Sequence, residues 1–425
     1  MHKKPGQSID ELTDHFFRHE YAKMVAVIGH YFKTENLNLA EDIVQDSLLQ
    51  ALKHWEFHGI PPNPTAWLYS VAKNKTLNVL KRGNINRKVI AESISLSSSD
   101  PEVSIAENFS PHKIADSLLE MMFVCCHSAL SREARVVLIL KTLCGFNISE
   151  IARAFITNHE TINKRLVRAR KALKENQVQF EIPEQDLGPR LSSVLEAIYL
   201  LFNEGYNATT GDHLIRYELC LEAIRLTKLI VDHPKFESNT TAHALLALMY
   251  LNSARFETRL DSDGNILEMS QQDRSRWNTK LINQGLFHLD EIRNAKEIGI
   301  YPILATVAAH HATAATYEDT DWRSILTLYD QLLTFDNSPV VKLNRAVALA
   351  KVHGNQQALK ALAALEATGA LRSYAPFYAT LGSLQMEEGF YSKAEINFRH
   401  ALQLTGTTPS TKALNTKLAE CIKKN

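Results

Sequence analysis

Six cations, Lys164, Arg165, Arg168, Arg170, Lys171 and Lys174, crowd one short stretch, and no acid interrupts residues 161–174. Guanidinium forks and ammonium point charges at that density are groups that bind phosphate. On the same stretch Ile162, Leu166, Ala169 and Leu173 recur at helical spacing, which predicts one buried stripe and one cationic face. Just upstream, Ile148, Ile151, Ala152 and Phe155 define a shorter apolar face. Asn147 followed by Glu150, and Thr157 followed by Glu160, have the capping-box pattern of two helix starts. Two short helices joined by a tight turn, the second loaded with cations, fit a helix-turn-helix reading the DNA major groove. The alternative is an ordinary helix hairpin with a solvated basic face.

A second group mixes rings and cations. Trp67 and Tyr69 precede Lys73, Lys75, Lys81 and Arg82, with Asn74 and Asn78 between them and Arg87 and Lys88 beyond. Residues 73–88 hold no acid. Aromatics beside cations suit single-stranded DNA, because bases stack on rings at ~1–3 kcal/mol each while cations follow the phosphates. Alternatively, Trp67 and Tyr69 are core residues. A third group, Glu41, Asp42, Gln45 and Asp46, is expected to form an exposed acidic patch on a helix that buries Ile43, Val44, Leu48, Ala51 and Leu52.

Other reactive types lead nowhere comparable. Cys125, Cys126, His127 and Cys144 lack a zinc-type C-x₂-C pair and fit small apolar packing better. Residues 261–277, DSDGNILEMSQQDRSRW, make a poor calcium loop; QQDRSRW is expected to be a structural loop with Asp273 and Arg274 paired, an interaction site being the alternative. His310 and His311 are neighbours on a helix whose rings diverge. No phosphate-binding glycine loop and no nucleophile motif is present, so neither an enzyme nor a cofactor is expected.

The elements that must position these groups are helical throughout, and the expected fold class is all-α. The 425 residues carry no net charge, but residues 1–175 hold 23 Lys and Arg against 19 Asp and Glu. The remainder reverses that balance, so a basic front half is joined to an acidic back half. The five cysteines suggest no disulfide framework, and no apolar run approaches a membrane span. A cytoplasmic protein without a membrane partner is the expectation. Helices are predicted over 8–33, about 38–55 and 65–82, with a proline-broken loop, EFHGIPPNP, over 56–64. Residues 89–110 are Ser-rich and read as a flexible linker. That linker could span at most ~70–80 Å, about two turns of B-DNA.

AEDIVQDSLLQALKHW, NPTAWLYSVAKNKTLNVLKR, the Ser-rich linker and LSREARVVLILKTLCGFNISEIARAF with ETINKRLVRARKALK together resemble sigma-70 family factors of the extracytoplasmic-function type. The resemblance covers residues 8–176. It implies region 2 over 8–88, the linker over 89–110 and region 4 over 111–176. It also implies two partners, core RNA polymerase and promoter DNA. Glu41, Asp42, Gln45 and Asp46 would dock on the polymerase clamp helices. The loop 57–63 and the helix 65–82, carrying Trp67, Tyr69, Lys73, Asn74, Lys75, Asn78, Lys81 and Arg82, would read and melt the −10 element. Thr161, Asn163, Lys164, Arg165, Arg168 and Arg170 would enter the −35 major groove. One departure is Asn78, where many such factors carry Asp.

The chain continues for some 250 residues beyond region 4. Helices are predicted over 191–206, 214–232 and 239–255, within a helical extension placed at 185–295. Over 296–425 helix pairs repeat, and Ile325, Ala358 and Ala394 fall at corresponding positions. This resembles the tetratricopeptide repeat, whose stacked units present a concave surface suited to a peptide or protein partner. YLLFNEGY, QQDRSRW and SPVVKLNRAVALA extend the resemblance to the sigma subgroup with a fused extension of this kind, which implies regulation in cis. Two other readings stay open: a one-component helix-turn-helix activator with a repeat-type sensor, and a repeat-based adaptor without a DNA role.

Overall fold

A computed structural model of the chain describes residues 9–32, 36–82, 109–155, 157–180, 184–208, 210–236, 238–295 and 299–425. The expected linker lies outside the described residues except for its last two positions, as do Arg87 and Lys88. The chain divides into two compact units, Met1–Ile198 and Tyr199–Asn425.

In the first unit, α1 (Ile9–Phe32), α2 (Leu37–His58) and α3 (Pro64–Arg82) pack on one another. Tyr21, Met24, Val25 and Ile28 of α1 and Ile43, Val44 and Ala51 of α2 are buried, as the helical spacing requires. Helix α2 runs three residues further than expected, so Glu56–His58 are helical and only 59–63 break the helix. Asn63 restarts the chain: its Oδ1 accepts from the Ala66 N–H at 3.0 Å, with Pro64 in the first turn, where a missing N–H costs nothing. Leu52, expected in the core, is exposed.

The same unit continues with α4 (Pro111–Cys125), α5 (Arg132–Thr142), α6 (Ile148–Ala154) and α7 (His159–Glu175). Ser131 caps α5 by accepting from the Ala134 N–H. Helix α4 packs directly on α1. Their approach is close enough that a Cβ on Gly29 would lie 3.0 Å from Met121 Cε and 3.4 Å from Leu37 and Phe180. All five cysteines are free and buried. Burial pushes the Cys125 thiol well up and Cys126 up to about 12, the behaviour of packing residues rather than reactive ones.

Helix α8 (Glu184–Tyr206) spans the division between the units. The second unit contains α9 (Tyr217–Val231), α10 (Thr240–Ser253) and α11 (Thr279–Glu291), then the hairpins α12–α13 (Ile300–Thr313, Trp322–Phe335), α14–α15 (Pro339–His353, Asn355–Ala367) and α16–α17 (Ala375–Glu387, Tyr391–Leu404), and finally α18 (Thr408–Lys424). Ile325, Ala358 and Ala394, the positions matched by the repeat, are all buried at the second helix of each pair. In the last pair Gly382 lets α16 approach α17, since a Cβ there would meet the Phe398 ring at 2.7 Å. Two short strands, Thr210–Gly211 and Gly406–Thr407, pair in parallel and tie the start of this unit to its end. Asp273 and Arg274 do not pair as expected. Asp273 accepts from the N–H and hydroxyl of Ser275. Arg274 reaches the carbonyls of His311 and Ala314 instead.

Candidate nucleic-acid interface

The turn between α6 and α7 is built by side chains. The Asn147 N–H donates to Glu150 at 2.7 Å and the Glu150 N–H donates to Asn147 at 2.9 Å, a reciprocal capping box. The second cap lies one residue later than its expected place. Asn158, not Thr157, accepts from the Thr161 N–H at 2.7 Å. Helix α7 buries Ile162, Leu166, Ala169 and Leu173. Asn163, Lys164, Arg168, Lys171 and Lys174 are exposed, as is Val167, while Thr161 and Arg165 are half-buried. Glu160 holds Lys164 at 2.6 Å, but both side chains are mostly exposed. Such a pair contributes little and yields readily to a phosphate.

Arg170 departs from this face. Its Nη2 donates to both carboxylate oxygens of Glu41, at 2.7 and 2.6 Å. The Arg170 side chain keeps 19% exposure and that of Glu41 6%. The two residues come from the two modules that the sequence assigned to DNA and to polymerase. Glu41 is therefore not part of an exposed acidic patch; it is the buried counter-charge of Arg170 on α7. Tyr21 and Lys141 complete the surroundings, with the Lys141 ammonium 5.3 Å from the Tyr21 ring centroid. Burial holds the Tyr21 phenol well above its usual range, with the Glu41 charge adding to it. Burial lowers the pKa of Lys141, against the attraction of Glu41.

The other three acidic-patch residues, Asp42, Gln45 and Asp46, are exposed. Leu49 and Leu52 continue the same helical face into solvent, at 54% and 48% exposure. This acidic-to-apolar stripe was missed because leucines at helical spacing read as core. Lys75 crosses to the stripe, donating to the Asp46 carbonyl at 3.2 Å.

Helix α3 also differs from expectation. Trp67 packs against Trp55 at 5.6 Å and His54 at 5.2 Å between centroids. The Tyr69 hydroxyl donates to Glu20 at 2.5 Å and its ring stacks on Phe109 at 4.7 Å. Both rings are thus occupied by the protein's own packing. Burial and the Glu20 bond drive the Tyr69 pKa strongly upward, so it stays a donor. Asn74 and Asn78 are exposed and Lys73 is half-buried. Lys81 and Arg82 lie in the last turn of α3, and their side chains are outside the described ones. The exposed rings and aliphatics sit elsewhere, at Phe57 (80%) and Ile60 (63%), in and beside the loop before α3.

Comparison with known proteins places these parts. Residues 16–84 match Sigma-70 region 2 and residues 120–173 match Sigma-70, region 4. Residues 190–293 match a family of unknown function, DUF6596. The chain is 34% identical over 376 residues to an uncharacterized protein of Rhizobium meliloti (strain 1021), covering 88% of this chain and 87% of that one. It is 26% identical over 184 residues to the ECF RNA polymerase sigma factor SigG of Mycobacterium tuberculosis, covering 39% of this chain and about half, 49%, of that relative. It is 29% identical over 157 residues to the ECF RNA polymerase sigma factor SigL of the same species, covering 36% and 84%. No solved structure matches. With regions 2 and 4 in order and a capped helix-turn-helix in the second, the chain belongs to the sigma-70 family of RNA polymerase sigma factors, of the extracytoplasmic-function type.

Proposed function

We propose that this transcription initiation factor binds core RNA polymerase through the stripe Asp42, Gln45, Asp46, Leu49 and Leu52, and directs it to specific promoters. Its work is binding, not catalysis. Asn163, Lys164, Arg165 and Arg168, with Thr161 at the helix start, divide between base edges and phosphates of the −35 element. Lys73, Asn74, Lys75, Asn78, Lys81 and Arg82 follow the −10 backbone. The exposed Phe57 takes the stacking role first given to Trp67 and Tyr69.

The observation that carries this reading is the Arg170–Glu41 pair joining region 4 to region 2. While it is made, Arg170 cannot reach a phosphate, and the two modules cannot separate to span a promoter. Polymerase binding to the neighbouring Asp42 and Asp46 would open it. Isolated protein then binds duplex poorly, and binding strengthens with polymerase present. The C-terminal extension regulates this step in cis, and its helix hairpins act as tetratricopeptide-like repeats offering a surface to a peptide or protein partner. The place of action is the cytoplasm; among the described residues no helix is long and apolar enough to cross a membrane.

Run-off transcription with purified core polymerase on a promoter library tests the reading. Promoter-specific transcripts that depend on the protein are expected, and their absence on every promoter overturns it. Tight duplex binding by the protein alone would favour the one-component activator. A fragment ending at Leu187 that initiates as the full chain does would remove regulation in cis.

A further inference from the structure

The QQDRSRW stretch has no part in the promoter chemistry above. Yet it carries several buried side-chain atoms without partners. Arg274 Nε, Trp277 Nε1 and His311 Nδ1 are all buried without a hydrogen-bond partner among the described residues, as is one acceptor of the same stretch, Gln272 Oε1. The first three lie together. Arg274 donates through Nη1 to the carbonyls of His311 at 2.8 Å and Ala314 at 2.9 Å, and through Nη2 to Thr320 Oγ1 at 3.0 Å. Its guanidinium carbon sits 5.0 Å from the Trp277 ring centroid. Fixed in this way, Arg274 keeps its Nε buried without a partner among the described residues.

A second guanidinium acts on the same residues, beside two exposed acids. Arg255 acts electrostatically on both Arg274 and His311. Among the described residues Arg255 is held by a neutral acceptor, the Tyr206 hydroxyl, which takes its Nε–H at 2.7 Å and also an Nη2–H. The acids that attract Arg274, Glu318 and Asp319, are exposed, and Asp319 is engaged by Thr316. Buried donors left unmade cost about 1–3 kcal/mol each, and the two half-buried guanidiniums repel. One oxyanion relieves both, because it accepts several N–H bonds and neutralises the guanidinium charge.

We propose that Arg274, Trp277 and His311, with Arg255 beside them, form a binding site in the extension for a small oxyanion, the carboxylate or phosphate group of a metabolite-sized ligand. Arg274 and Trp277 donate from Nε and Nε1, and Arg255 supplies long-range charge. Burial, followed by the neighbouring arginines, lowers the His311 pKa to about 4, so the imidazole is neutral and can donate from Nδ1.

The test uses the full chain with ¹⁵N-labelled tryptophan, whose four indole N–H signals are assigned with Trp277→Phe. Inorganic phosphate, acetate and chloride are titrated at matched ionic strength. The Trp277 signal is expected to move saturably with phosphate, acetate or both, and not with chloride. The more effective anion identifies the phosphate or the carboxylate class. Arg255→Gln is expected to weaken the midpoint about tenfold. A Trp277 signal that ignores all three salts, as it would if a buried water filled the site, overturns the proposal. So does a shift that follows chloride equally.

Discussion

Two buried arginines, one in each unit, meet different environments. Arg170 is met by a carboxylate, Glu41, in a two-bond fork. Among the described residues Arg259 is met by neutral groups: the Tyr206 carbonyl, Asn207 Oδ1 at 3.4 Å and the Tyr206 ring at 4.1 Å. Burial pulls its pKa down, and Arg255 adds to the effect. The first arrangement is a closed pair that another anion, such as a DNA phosphate, could replace only by leaving Glu41 alone. The second leaves Arg259 without a carboxylate partner among the described residues. The same side chain thus makes a clasp in one unit and an uncompensated charge in the other, and the presence or absence of one buried acid distinguishes them.

The largest effect should come from breaking the first pair. Glu41→Gln leaves Arg170 without its counter-charge, and a loss of about 3–5 kcal/mol is expected in urea denaturation of the first unit. Replacing both residues with Met should recover most of that loss, since no charge is then stranded. Equal losses for the single and double variants would show that the pair itself is not the source.

Arg259→Met should cost less, about 1–3 kcal/mol, because only neutral acceptors lose their donor. If it matched Glu41→Gln, the contrast between the two environments would be wrong. A smaller change, about 1 kcal/mol, is expected for Asn147→Ala, which removes half of a capping box and touches neither arginine. Lys164→Ala should leave stability within about 0.5 kcal/mol, since its pairing with Glu160 is exposed. It should nonetheless weaken promoter binding in a salt-dependent way, separating a cation kept for DNA from one spent on the fold.

What the sequence disclosed was local. The Asn147–Glu150 box, the buried stripe of α7 and the hairpin positions Ile325, Ala358 and Ala394 follow from spacings within one or two turns of helix. The cap of α7 was misplaced by a single residue because Thr157 and Asn158 are both competent acceptors. The long-range partners were not legible. Glu41 lies 129 positions from Arg170, and nothing in AEDIVQDS marks its first acid as buried and the next two as exposed. Trp67 and Tyr69 read equally well as stacking platforms or packing residues; Trp55, Glu20 and Phe109 decided between those readings. Leu49 and Leu52 have core spacing, but both stand about half exposed, at 54% and 48%.

The most direct test of the account is the affinity of the purified full chain for core RNA polymerase, measured by fluorescence anisotropy. Saturable one-to-one binding is predicted, weakened by Asp42→Ala with Asp46→Ala and unaffected by Asn163→Ala. Absence of saturable binding to the core enzyme would contradict the account, whatever the protein does with DNA.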